Sequence, residues 1–78
     1  MIMFDEVSTR IRTVLSTKLK KEKVLDKDVA FALAMDPQNY AVIKRRKKIP
    51  YEAIAYFSKN NQLNMTWILF AQKPQYLS

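Results

Sequence analysis

The stretch that decides the fold is AMDPQNYAVIKRRKKIP, residues 34–50. Asp36 can accept a hydrogen bond from the free amides of a following helical turn. Pro37 suits the first helical position, because its missing N–H is not needed there and its φ is already fixed. The pattern therefore predicts a helix over about residues 37–46, with Tyr40 on its inner side.

Four further helices surround this one, because apolar residues recur at spacings of three and four along most of the chain. No stretch alternates as a strand would, and no segment repeats. The sequence predicts an all-α compact bundle of about five short helices, forming one domain over residues 1–78. The first helix runs from Phe4 to about Lys21, and the second runs from a capping Asp26 to two residues before Pro37. The fourth runs from Pro50 to about Asn60. The fifth covers MTWILF, with Asn64 as its cap and Pro74 as its stop.

The composition excludes several classes of function. The chain of 78 residues has no cysteine, no histidine and no glycine. It therefore lacks thiolate and imidazole chemistry and the glycine-rich loops that cradle phosphates. We expect no enzymatic activity, no metal, no cofactor and no small-molecule substrate.

The apolar runs are too short for a membrane span. The longest run, VAFALAM, falls far short of the roughly 20 residues that a span requires, and MIMFDEVSTR does not have the pattern of a secretory leader. We therefore expect a cytoplasmic protein.

The chain is basic, with a formal net charge of +7, and five cations are consecutive at the end of the predicted third helix. Taken alone, a charge run of this kind usually marks a solvated loop. Here the run directly follows a predicted helix, which makes the cations candidates for contacts with nucleic-acid phosphates; such contacts carry no sequence information. The candidate phosphate contacts are Lys44, Arg45, Arg46, Lys47 and Lys48.

Residues 26–46 predict two short helices joined by a tight turn, with the small residue Ala30 at their crossing. This is the arrangement of a helix-turn-helix, whose second helix lies in the major groove and contacts bases from its first turns. Gln38 and Asn39 are candidate base contacts, because side-chain amides bind adenine edges, and Val42 can meet a thymine methyl. The alternatives are ordinary helix-start chemistry for the two amides and chance exposure for the valine.

The stretch VAFALAMDPQNYAVIKRRKKIPYEAIAYFSKNNQLNMTWILFAQKP resembles the phage CI-repressor-type helix-turn-helix domain of the lambda-repressor-like fold. The resemblance covers roughly residues 4–74. It rests on a helix-turn-helix with Ala30 in its first helix, on KRRKKIP directly after the recognition helix, and on a short final helix with a tryptophan, NMTWILF. It implies a sequence-specific transcriptional regulator that binds a double-stranded DNA operator, usually as a homodimer.

The chain departs from this family at several positions. Ala34 stands where the family commonly has a glycine in the turn, and FAQKP replaces the glycine after the last helix. A left-handed backbone at such a position costs a non-glycine residue about 1–2 kcal/mol. Tyr40 and Ile43 stand where the family has a branched aliphatic residue and a tryptophan, so burial is conserved.

The last helix carries more apolar side chains than one side of it can bury. We expect Trp67 in the core, and Leu69 and Phe70 either at a dimer interface or closing the core. Two other functions compete with operator binding. One is an adaptor of the same fold whose basic run binds an acidic protein. The other is non-specific binding to RNA; a membrane surface is disfavoured, because no helix is basic on one face and apolar on the other.

Overall fold

The apolar stripes form five helices in the computed structural model, which describes residues 1–77. In chain order these are α1 (Phe4–Leu19), α2 (Asp26–Ala32), α3 (Pro37–Arg46), α4 (Tyr51–Asn60) and α5 (Met65–Phe70). Residues 1–77 contain no β-strand, and their only β-type pairing is an isolated antiparallel bridge between Leu63 and Tyr76. The prediction of a compact all-α structure with five helices is confirmed.

Side-chain caps begin two of the helices where the sequence predicts them. The Asp36 carboxylate accepts a hydrogen bond from the Gln38 backbone N–H at 2.8 Å, and Pro37 is the first residue of α3. The Asn64 side chain accepts from the Thr66 backbone N–H at 3.1 Å and begins α5. Both starts are local features, because each cap lies two residues from its donor.

The predicted cap of α2 is wrong. Asp26 is the first residue of the helix rather than its cap, and its carboxylate contacts Arg12 and Lys44 instead. The Asp28 carboxylate accepts the Leu25 backbone N–H at 2.9 Å, which is half of the reciprocal arrangement called a capping box. Asp28 therefore serves the helix start, and Asp26 is left to bind cations from two other helices.

Every helix is followed by a residue with a left-handed backbone, and none of these residues is a glycine. After each of the first four helices, the residue that follows the left-handed one donates its backbone N–H to a carbonyl five residues earlier, as in the Schellman motif. An example is the hydrogen bond from Met35 to the Ala30 carbonyl at 2.9 Å. Ala71 ends α5 by bonding to the Trp67 carbonyl, so α5 stops before Pro74, which was predicted to end it. The five residues, with φ between 55° and 60°, are Lys20, Ala34, Lys47, Gln62 and Ala71.

The core forms where α1 packs against α2 and α5, α2 against α3, and α4 against α5. Tyr40 is its largest side chain, only 1% exposed, and its hydroxyl lies 3.4 Å from the Ser8 hydroxyl. Trp67, which was expected in the core, is half-buried and packs against it. Arg10 of α1 donates to the Ile68 carbonyl at 2.8 Å, which joins the first helix to the last.

The structure is somewhat flattened, with extents of 33 × 31 × 19 Å and a radius of gyration of 11.6 Å. In residues 1–77, no helix combines the length and the apolar character that crossing a membrane requires.

The left-handed alanine between α2 and α3 leads to a stability prediction. We expect Ala34→Gly to raise the free energy of unfolding by about 0.5–1 kcal/mol. Glycine removes the cost of a left-handed backbone at alanine, which is about 1–2 kcal/mol. The greater conformational freedom of glycine in the unfolded chain offsets about 0.4–1 kcal/mol of this gain. Chemical denaturation measures the difference. The control is Ala41→Gly, in the exposed middle of α3, which should lower stability by about 0.8–1 kcal/mol; equal losses for both variants would contradict the prediction.

Candidate nucleic-acid interface

The burial of Tyr40 fixes how α3 is rotated. At about 100° per residue, Gln38, Val42 and Arg45 lie about 140–160° around the helix from Tyr40. Asn39 and Arg46 lie beside them, about 100–120° from Tyr40. All but the half-buried Val42 are exposed. We call these five residues, Gln38, Asn39, Val42, Arg45 and Arg46, the outer face of α3.

The outer face brings together all three candidate base contacts and two of the five candidate phosphate contacts. The side-chain amides of Gln38 and Asn39 form no hydrogen bond with any of residues 1–77, although the Gln38 backbone N–H is used by the Asp36 cap. Both amides are therefore available to a ligand. They lie in the first turn of α3, and Arg45 and Arg46 lie in its last turn.

Lys44 and Lys47 are placed differently from the two arginines. They lie only about 40° and 20° around the helix from Tyr40, on the side that faces the rest of the protein. The Lys44 ammonium lies 2.8 Å from the Asp26 carboxylate, and the Lys47 ammonium lies 2.7 Å from the Asp5 carboxylate. Both lysines are thus paired with carboxylates of other helices, and their role as phosphate contacts stays a prediction.

Lys47 has a second contact, because its ammonium lies 5.9 Å from the centre of the Phe4 ring. The remaining cation, Lys48, is exposed and follows the left-handed turn that ends α3. Lys48, Arg45 and Arg46 form no ion pair within the described part of the chain. The basic run is therefore divided into three unpaired cations and two paired ones.

Asp26 is the centre of the larger ion-pair network. It binds Lys44 of α3 and also Arg12 of α1, whose guanidinium donates to the Val24 carbonyl as well. The hydrogen bond from Lys44 is the main cause that holds the pKa of Asp26 below its ordinary value. Burial acts in the opposite direction, and the hydrogen bond from Arg12 lowers the pKa further. Asp26 thus connects α1, α2 and α3 through charge.

A similar but separate pair supports the start of α2. The Lys21 ammonium lies 2.7 Å from the Asp28 carboxylate. This hydrogen bond lowers the pKa of Asp28, and the Leu25 backbone N–H lowers it further. Of the three aspartates near α2 and α3, Asp26 and Asp28 are therefore already paired with cations. This pairing reduces the negative charge beside the outer face.

The candidate dimer residues at the end of α5 differ in exposure. Leu69 is half-buried and packs against the core, whereas Phe70 is 59% exposed. Leu69 therefore fits the alternative role of closing the core, and Phe70 retains most of the surface that a second copy would contact. The dimer interface itself stays a prediction.

Sequence reasoning missed Asp5 and Arg12, which pair with Lys47 and Asp26 across 42 and 14 residues of chain. One signal was present, because Lys47 follows Tyr40 by seven residues and so returns to the same side of α3. No local pattern marks Asp5 as the partner of Lys47 or Arg12 as the partner of Asp26.

We compared the chain with models of protein families, with curated proteins and with solved structures, and none of the three comparisons gives a match.

The Asp26 network predicts an acid-dependent loss of stability. Because the folded pKa of Asp26 is depressed, its contribution is present above the unfolded pKa of about 3.9 and is lost as the pH falls through the folded value. We expect Asp26→Asn to lower the free energy of unfolding by at most about 1 kcal/mol near pH 7, since the carboxylate is half-exposed and screened by solvent.

The difference in free energy of unfolding between Asp26→Asn and the natural chain should disappear at pH values below the folded pKa of Asp26. Denaturation at a series of pH values measures it. Glu6→Gln is the control, because Glu6 is exposed and forms no ion pair within residues 1–77. A difference that persists unchanged in strong acid would mean that the ion pairs do not cause it.

Proposed function

We propose that this chain binds double-stranded DNA sequence-specifically, as a small transcriptional regulator of the phage CI-repressor type. In this proposal α2 and α3 form a helix-turn-helix, and α3 lies in the major groove of an operator. The observation that carries the proposal is the outer face of α3. Within residues 1–77, the amides of its first turn form no hydrogen bond and the guanidinium groups of its last turn form no ion pair.

The dimensions of this face suit a major groove. Seven residues separate Gln38 from Arg45, which at about 1.5 Å per residue is roughly 10 Å along the helix axis. The groove is about 12 Å wide and admits one α-helix. With the amides of the first turn against base edges, the guanidinium groups lie near a phosphate backbone, where arginine binds oxygens in a bidentate manner.

The packing of α2 against α3 supports the helix-turn-helix reading. Only four residues, 33–36, separate the two helices, and the helices contact each other. Ala30 of α2 is fully buried, as expected for a small residue at a close helix crossing. The left-handed Ala34 takes the backbone conformation that a glycine commonly provides in this turn of the family.

The distribution of charge supports DNA more than an acidic protein as the partner. Arg45 and Arg46 share a face with the amides and with Val42, so a single surface offers both phosphate and base contacts. An adaptor that bound only through charge would have no use for that combination. RNA presents the same phosphate oxygens to arginine, so the tests below use both duplex DNA and RNA.

The first test concerns the phosphate contacts. We expect the double variant Arg45→Ala/Arg46→Ala to weaken binding to every DNA duplex alike. The dependence of affinity on salt should also flatten, by about 0.9 per lost contact in the logarithmic slope. Mobility shifts at several salt concentrations measure both effects.

The matched control removes two exposed cations outside α3, Lys59→Ala/Lys73→Ala. It changes the net charge equally and should leave the slope nearly unchanged. Equal slopes for the arginine variant and the natural chain would remove Arg45 and Arg46 from the interface. Tighter binding to RNA than to duplex DNA in the same assay would favour the RNA alternative.

The second test concerns the base contacts. Gln38→Ala and Asn39→Ala each leave Asp36 and Pro37 in place, so α3 should still form. Each variant should cost about 1–3 kcal/mol of binding free energy on the best duplex selected from a random library, and much less on random DNA. The control is Gln72→Ala, an exposed glutamine after α5. An equal loss on every duplex would mean that these amides contact only the DNA backbone.

A further inference from the structure

We propose that Asp5 and Asp26 act as intramolecular competitors of DNA phosphates for Lys47 and Lys44, and so limit the sequence-independent affinity of the basic run. The proposal rests on the DNA-binding function proposed above. Its basis is the geometry of the two ion pairs, at 2.7 Å for Lys47 and Asp5 and 2.8 Å for Lys44 and Asp26. These are the distances at which lysine also binds a phosphate oxygen.

Both pairs are accessible enough to exchange. The side chains of Lys47 and Asp5 are 59% and 71% exposed, and those of Lys44 and Asp26 are 45% and 49% exposed. Exposed pairs of this kind contribute little to stability. A phosphate that approaches either lysine therefore replaces a weak intramolecular partner, and the carboxylate that is released remains beside the DNA as a negative charge.

The two carboxylates differ in whether a cation still binds them after their lysine has moved to a phosphate. Asp26 keeps Arg12 when Lys44 moves to a phosphate. Asp5 has no second cation within the described residues, so its charge becomes unpaired and repels the nearby phosphates. Asp5 should therefore restrain binding more strongly, and it is also the cleaner residue to test, because Asp26 joins three helices.

The consequence is an effective charge of the basic run lower than its sequence indicates. Five cations from Lys44 to Lys48, less the two carboxylates that bind them, leave a net charge of +3 rather than +5. Sequence-independent binding depends on the number of phosphates neutralised, so it is reduced. Arg45 and Arg46 keep their full charge for phosphates. Because they lie on the outer face, their binding to phosphates also places the amides of that face against base edges.

The test compares Asp5→Asn with the natural chain on a short random-sequence DNA duplex. We expect about two- to fivefold tighter binding at low salt, which is the range that the small free energy of an exposed ion pair allows. The gain should shrink as salt screens the charges. It should be equal on a selected high-affinity duplex, because Asp5 opposes phosphates and not bases.

Two controls separate the ion pair from net charge. Glu6→Gln removes the same charge at the neighbouring residue, which has no cation partner among residues 1–77, and should give a smaller gain in affinity. The second control uses a Lys47→Gln background, which keeps most of the side-chain stem. In that background, Asp5→Asn should raise the DNA affinity by no more than Glu6→Gln does. A gain equal to that of Glu6→Gln, or one that survives without Lys47, overturns the proposal.

The arginine double variant in the same assay separates this proposal from the function on which it rests. If Arg45→Ala/Arg46→Ala weakens binding while Asp5→Asn leaves it unchanged, only the competition by carboxylates is wrong. If the arginine variant binds as tightly as the natural chain, or if no variant binds DNA, the proposed function is wrong and this inference fails with it.

Discussion

Each of the five helices leads into a residue with a left-handed backbone, and the chain has no glycine to place there. At about 1–2 kcal/mol for each such residue, the total cost is comparable with the whole net stability of a domain this small. The fold therefore depends on contacts that hold these turns in place. The main ones are the backbone hydrogen bonds that close the first four helices and the burial of residues such as Leu33 and Leu63 beside the turns.

The turns matter for the proposed interface because they set the direction in which α3 leaves α2 and the point at which α3 ends. Within that frame, one buried side chain, Tyr40, determines the rotation of α3 about its axis. The rotation divides a basic run that looks uniform in sequence. Arg45 and Arg46 come to lie with the polar amides on the outer face, and Lys44 and Lys47 come to lie against the carboxylates of α2 and α1.

Sequence patterns predict the parts of this structure that depend on near neighbours in the chain. The five helices, the Asp36 and Asn64 caps and the inward position of Tyr40 all follow from spacings of a few residues. The cap of α2 was mistaken because two aspartates compete there, and the choice depends on Arg12 and Lys44, which lie far away in sequence. The extent of α5 agrees with the predicted MTWILF, but its end was attributed to Pro74, whereas a left-handed Ala71 ends it. Alanine's helix preference does not indicate such an end.

The contact between α1 and α5 has a consequence for how the protein folds. The hydrogen bond from Arg10 to Ile68 spans 58 residues, and the apolar stripe of α1 is covered in part by the last helix. During synthesis, α1 is made before α5, so part of its apolar surface has no native partner until α5 has also left the ribosome. Folding to the complete core is therefore a late event, and the nascent helix is exposed to aggregation or chaperone binding in the meantime.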